Sequence, residues 1–387
     1  MSLWLTLGLA VATAEAPSAA DQALLKEIEA ASANAPSAAT TLPTPGNATS
    51  TPTTSMGSTA PSNIYNPAMS LNGLFLASGN ASAGHPQQSN ASLAIQELEL
   101  QFVANVDPYF AANLILALPN GDGIALEEGY LTPSAQPLGL QARVGKIKAP
   151  LGRENALHTH ALPFIDKSLV GTAMFGDEGL AEVGAELSYL FPFPWYSVLY
   201  AAVMSAENPA VFASGRTYDA SGYGSLRNVF DLSDDATLEL GLSSAVGNNA
   251  ATEHNEIYGA HAVFKWRPAR QARERELVLV AEGLFATRPN LSPPAGDKRS
   301  VGGAYGYAQW RLGQQWYTAA RFDYLGFPNE ARGISRRGSA ILVFAPSEFS
   351  SVRTQLSAGK QPGVQPLLYE AFLQLNFTLG AHPAHAY

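Results

Sequence analysis

From about Ala68 onward the chain repeats one texture: short segments in which apolar and polar residues alternate, separated by turn-forming residues. A period of two places apolar side chains on one face of a strand and polar ones on the other. In Glu97 to Val106, Leu98, Leu100, Phe102, Ala104 and Val106 alternate with Glu97, Glu99, Gln101 and Asn105. In Glu370 to Leu379, Ala371, Leu373, Leu375, Phe377 and Leu379 stand opposite Glu370, Gln374, Asn376 and Thr378. About sixteen such segments can be placed, near 68–78, 92–106, 109–118, 124–133, 138–148, 179–191, 195–206, 225–233, 236–246, 255–267, 275–286, 300–311, 315–325, 336–345, 350–360 and 366–379. Those near 225, 336 and 350 are the least regular, so fourteen to eighteen strands fit. No window reaches the roughly 18 to 20 consecutive apolar residues of a membrane-spanning helix, but roughly ten residues suffice for a tilted strand to cross a bilayer.

The connections alternate as well. Short turns follow the even segments, at Asp107-Pro108, Ser134 to Pro137, Phe191 to Pro194, Asp231 to Asp235, Arg267 to Arg275, Gly313 to Gln315 and Ala345 to Phe349. Longer stretches follow most odd ones, at 79–91, 149–178, 207–224, 247–254, 287–299 and 326–335. Short turns on one side and long loops on the other are the periplasmic and extracellular ends of a bacterial outer-membrane barrel. Trp195, Tyr196, Trp266, Trp310, Trp316 and Tyr317 fall near segment ends, where an interfacial aromatic girdle would sit. The competing architecture is a secreted β-sandwich or propeller. A charged fraction of only 14%, with 34 Gly and 26 Pro, favours the all-β transmembrane antiparallel barrel with one face to lipid.

The chain has no cysteine, which removes disulfides, thiolate metal sites and cysteine nucleophiles. A net charge of −9 without a Lys/Arg cluster argues against nucleic acid as a partner. The four arginines of Arg267 to Arg275 read as a solvated turn. There is no Gly-x-Ser-x-Gly nucleophile elbow and no cofactor motif, so neither enzymatic activity nor a cofactor is expected. Residues 1–16 read as a signal peptide, with A-x-A cleavage patterns at Ala12-Thr13-Ala14 and Ala14-Glu15-Ala16. Residues 17–67 read as a periplasmic extension: a short helix over Asp21 to Ala33, then a Thr/Ser/Pro-rich linker over 35–63 that cannot bury a core. Residues 68–387 read as the barrel.

The connection 149–178 is the longest, and charge concentrates beside it. On Leu138 to Lys148, alternation sends Gln141 and Arg143 to the lumen, and a bulge near Gly145 would send Lys146 and Lys148 there too. Glu97, Glu99, Glu127 and Glu128 carry the opposite sign on earlier strands, so the walls either set a transverse field or pair with one another. The stretch Arg143-Val-Gly-Lys-Ile-Lys-Ala-Pro-Leu-Gly152, with Phe164-Ile-Asp-Lys-Ser-Leu-Val170 and Gly184, resembles the strand and infolding third loop of the phosphate-selective porin O and P family. It is also similar to barrels labelled zinc-regulated outer-membrane receptors. The first resemblance implies a sixteen-stranded barrel narrowed at loop 149–178, lined by basic side chains that draw anions.

The expected function is therefore passive diffusion of small polar or charged solutes through an outer-membrane porin. Glu97, Glu99, Arg143, Lys146, Lys148, Arg153, Asp166 and Lys167 are the expected pore-lining and constriction residues. Outer-membrane lipid and the solutes are the expected partners, with a homotrimer one arrangement open to such a barrel. The alternative is a non-conducting barrel acting as a metal-associated receptor or a structural envelope protein. His158 and His160, at i and i+2 with Asp166 nearby, are the candidate metal ligands, and they need a third. No metal is assigned from sequence.

Overall fold

The structure is a computed structural model that describes residues 67–83, 85–216, 219–289, 300–328, 333–362 and 367–380. The expected signal peptide, the helix over 21–33, the linker and the tail histidines His382 and His385 lie outside the described residues. Among the described residues sixteen strands close into one antiparallel barrel in which every strand pairs with its sequence neighbours. They are β1 (Ala68–Ser82), β2 (His85–Asn105), β3 (Phe110–Pro119), β4 (Ala125–Pro133), β5 (Leu140–Lys148), β6 (Ala181–Leu190), β7 (Tyr196–Ser205) and β8 (Ala220–Ser233). The second half comprises β9 (Ala236–Asn248), β10 (His254–Trp266), β11 (Leu277–Ala286), β12 (Val301–Arg311), β13 (Trp316–Phe327), β14 (Ser335–Ser347), β15 (Ser350–Lys360) and β16 (Leu368–Gly380). One short helix, α1 (Leu169–Phe175), lies in the connection between β5 and β6.

Closure is made by β1 and β16, paired from Ser70↔Gly380 to Ser82↔Leu368. Among the described residues the closed ring leaves no edge strand, which is what a backbone surrounded by hydrocarbon requires. Alternation holds around the ring. Val144, Val183, Leu187, Val203, Leu242, Phe322, Leu356, Leu373 and Leu375 face outward and are exposed, whereas Glu99, Glu186, Asp323, Gln355 and Gln374 face inward and are buried. The polarity is inverted relative to a water-soluble barrel. At the short-turn end aromatic rings meet: Phe193 on Trp195 within the β6–β7 turn (4.9 Å) and, across strands, Trp266 on Trp310 (6.0 Å) and Trp316 on Phe344 (4.6 Å).

Two expectations change. The stretch 79–91 is not a long loop: β1 and β2 continue as a ribbon to Ser82↔His85, because serine, asparagine and alanine pair there without needing an apolar face. The irregularity expected near Gly145 is also elsewhere. The β5–β6 register runs unbroken from Leu140 to Lys148, whereas β3–β4 slips between Ile115 and Leu116, so that Glu127 and Glu128 are both buried. Beside that slip, β4 and β5 are paired only over Gly129↔Lys146, Tyr130↔Gly145 and Leu131↔Val144.

Candidate functional site: the loop inside the barrel

The connection 149–178 packs against the inner wall. Leu151, Phe164, Val170 and Met174 are fully buried. Four of its features hold it there. The first is a turn at Gly152, whose φ of +73° suits glycine and whose Cβ, if present, would fall 1.8 Å from Glu282 Oε1 on β11. That approach lets the Arg153 and Glu154 amides donate to the Glu282 carboxylate at 3.0 and 3.1 Å. The second is the cap of α1. Ser168 Oγ accepts from the Gly171 amide at 3.0 Å and donates to Glu154 Oε2 at 2.5 Å, while the Ser168 amide donates to Glu154 Oε1 at 2.9 Å. Burial pushes the Glu154 carboxyl up to about 7, against the opposing pull of those Ser168 bonds.

The third is an arginine wall on β13 to β15. Arg321 Nη2 and Gln355 Nε2 donate to Asp166 Oδ1 at 2.9 and 2.7 Å, and Arg337 Nη1 lies 2.6 Å from Asp166 Oδ2. Both guanidiniums also meet the fully buried Asp323 on β13. Arg353 Nη2 donates to the Leu162 carbonyl at 2.6 Å, Arg337 Nη2 to that of Lys167 at 2.7 Å, and the Ile165 amide to Gln355 Oε1 at 2.8 Å. The Arg321 guanidinium stands 4.5 Å over the Phe164 ring.

The fourth is the opposite anchor, on β2 and β4. His158 Nδ1 lies 2.8 Å from Glu127 Oε2 and 3.4 Å from Glu99 Oε2, and His160 Nδ1 lies 3.2 Å from the same Glu99 oxygen. Thr159 Oγ1 donates to Glu97 Oε2 at 2.9 Å. Burial disfavours charge on His158, but the bond to Glu127 and the fields of Glu99 and Glu127 outweigh both burial and Lys148, holding its pKa above the ordinary imidazole range.

The expected site residues divide accordingly. Glu97 and Glu99 are buried in the β2 wall beneath the loop. Arg143 is inward but fully engaged, with Nε and Nη2 donating to Glu186 at 2.7 and 2.9 Å. Lys146 has the outward parity of Val144, pairs across to the exposed Val183, and donates from Nζ to the Leu126 carbonyl at 2.6 Å. Lys148 shares that parity yet is buried, within the field of Glu97, Glu127 and His158, because the strands part beside it. Arg153 lies 3.8 Å from Glu239, and Lys167 donates to the Asp177 carbonyl. Asp166 is on the arginine wall, so the acids beside the two histidines come from β2 and β4 instead. Of these acids, Glu99 and Glu127 meet the loop histidines and Glu97 meets Thr159, while Arg143 pairs with Glu186.

Arg321, Arg337, Arg353, Glu154, Glu186, Glu239 and Glu282 were not singled out from sequence. The signal existed for one pair: Arg321 and Asp323 share the parity of Ala319 on an otherwise apolar alternating strand.

No family model matches the chain. It is 29% identical to an uncharacterized protein of Aquifex aeolicus over 332 residues, which covers 75% of this chain and 69% of that protein. Three solved structures superpose across 81% of the chain. They are an anion-selective porin from Comamonas acidovorans (TM-score 0.57, 10% identity, 100% of that chain), OprB of Pseudomonas putida (0.56, 10%, 94%) and the outer membrane channel DcaP of Acinetobacter baumannii (0.54, 10%, 98%). At that identity the likeness speaks for the fold: the chain is built as outer-membrane porins and channels are.

Proposed function

We propose that the chain is an outer-membrane porin, a passive diffusion channel for small polar or charged solutes, narrowed by loop 149–178. The observation that carries this is a loop anchored inside a closed barrel to inward-facing side chains on β2 and β4 on one side and on β11 and β13 to β15 on the other. A chain crossing the lumen on polar anchors narrows the passage while leaving the space beside it lined by charge. The outward band supports the location. Exposed leucine, valine and phenylalanine recur on strand after strand around the ring, far beyond the few hundred Å² of apolar patch that a soluble monomer tolerates. In an outer membrane of the usual orientation the short turns and the N-terminal extension face the periplasm.

The charge pattern bears on selectivity. The arginines at the loop's far anchor are matched by Asp166 and Asp323, and the acids at its near anchor by Lys148 and the histidines. Charge so balanced gives a mixed polar lining. The resemblance to phosphate-selective porins is one of sequence, and anion preference is a question that conductance answers. Planar-bilayer recording of the refolded protein is the test. Stable ohmic steps establish the channel, and the reversal potential in a salt gradient gives its ion preference. A heat-resistant folded barrel that passes no current refutes the channel and leaves the structural or receptor reading.

A further inference from the structure

The two histidines do more at the β2/β4 anchor than hold a loop. Two overlapping groups of ligand atoms meet there: Glu97, Glu99 and His160, and Glu99, Glu127 and His158, each with all its atoms within 4.8 Å of one another. Glu99 is common to both, and its Oε2 faces the Nδ1 atoms of both imidazoles at 3.4 and 3.2 Å. Zinc-class bonds of about 2.05 Å in a tetrahedron place neighbouring ligand atoms about 3.3 Å apart, so these separations are already those of a shared coordination sphere. A second observation is independent of the clustering. Glu97 is 7% exposed, and while its Oε2 accepts from Thr159, its Oε1 is fully buried without a hydrogen-bond partner. A buried carboxylate oxygen with nothing to bind loses its hydration for no return, unless a cation completes it.

We propose that Glu97, Glu99, Glu127, His158 and His160 form a divalent-cation site that ties loop 149–178 to the barrel wall. Imidazole nitrogen with carboxylate oxygen selects a borderline first-row ion such as Zn²⁺ over Ca²⁺ or Mg²⁺, which prefer all-oxygen shells. The ligands come from three separate parts of the chain: β2 supplies Glu97 and Glu99, β4 supplies Glu127, and the loop supplies both histidines. The β3–β4 slip makes this possible, since it leaves Glu127 buried beside Glu128. Lys148 occupies the same neighbourhood and offsets part of the carboxylate charge, which favours one ion over two. Cation binding here does not depend on the barrel's conducting, so a silent barrel would leave the site standing.

The test uses the full-length protein, folded in detergent and stripped with a chelator. Zn²⁺ is titrated by calorimetry, and Co²⁺ by visible absorption as a report on coordination geometry. The expected result is saturable binding of one equivalent, Co²⁺ bands of a four- or five-coordinate rather than an octahedral site, and at least a tenfold loss of affinity in the H158Q/H160Q double variant. His254→Gln, at an exposed histidine outside the cluster, should bind as the unaltered protein does. Absence of saturable binding by the unaltered protein overturns the proposal even if the double variant fails to fold. Binding that survives intact in a folded H158Q/H160Q variant overturns it as well, because the ion would then sit on other histidines or on the surface.

Discussion

Replacing Asp166 with asparagine keeps the shape of the side chain and removes one charge at the centre of the arginine wall. Asp166 answers Arg321 at 2.9 Å and Arg337 at 2.6 Å, and accepts from Gln355 at 2.7 Å. Breaking a buried pair by removing one partner costs roughly 3 to 5 kcal/mol. Here the cost should be smaller. The Asp166 side chain is 22% exposed, and both arginines retain Asp323 and backbone carbonyls of the loop. About 2 kcal/mol is the reasoned figure, which is about a thirtyfold shift in the equilibrium between seated and released loop. Hydrogen exchange reads that equilibrium directly, because the Ile165 amide donates to Gln355 and the Leu169 amide to Asp323. In D166N, amides over 164–169 should exchange about thirtyfold faster while those of β9 and β10 keep their protection. Exchange within a factor of two of the unaltered protein would refute the argument, since the anchor would then rest on the packing of Phe164 and the remaining hydrogen bonds alone.

Three further outcomes follow from the same geometry. Gly152→Ala sets a Cβ on Glu282 at a positive φ, so it should free the Arg153 and Glu154 amides, raise exchange at 153–155, and cost the loop seat about 2 kcal/mol or more. Glu154, raised from 4.5 to about 7 in the seated loop, binds its proton more tightly there than when released. Seating should therefore weaken as pH rises from about 4.5 to about 7 and level off above, and Glu154→Gln should flatten that dependence in exchange measured across the range. Charge reversal at Lys148, buried among the β2 and β4 acids, should move the reversal potential toward cations, whereas reversal at Lys146, which is less buried and is held by the Leu126 carbonyl, should move it less. Equal shifts would show that the two lysines share the lumen.

Strand number and order were legible because each strand carries its own alternation, and sixteen weak signals with short turns between them reinforce one another. Strand ends were less legible: the ribbon of β1 and β2 beyond Ser78 has no apolar face to announce it. The phase of Lys146 could not be read either, since Gly145 leaves alternation free to continue or slip, and the slip lies on β4 across the sheet. The loop's seat was the least legible part. Asp166 and Arg321 are 155 residues apart, Leu162 and Arg353 are 191 apart, and no local pattern joins them. What sequence did supply was parity, which put Glu97 and Glu99 on one face and set His158 and His160 two residues apart in one loop. It paired those histidines with Asp166, an acid of the same loop, whereas barrel closure brings β2 and β4 to them.

That substitution of partners makes the two ends of the loop chemically unlike. At the arginine wall, guanidiniums that stay charged at any physiological pH meet Asp166, Asp323 and main-chain carbonyls, so the attachment has no ready means of adjustment. At the β2/β4 end, four buried carboxylates outnumber the fixed cations whose fields reach them, Lys148 and Arg143, and the balance falls to imidazoles and to whatever divalent ion they hold. If the supply of a divalent ion alters the width of this barrel, it should act at His158 and His160, and the loop should release from that end while Asp166 and Leu162 remain attached. Hydrogen exchange before and after chelation separates the cases: faster exchange confined to 157–161 fits a hinge at the arginine wall, whereas uniform acceleration over 150–175 would mean that the loop moves as one body.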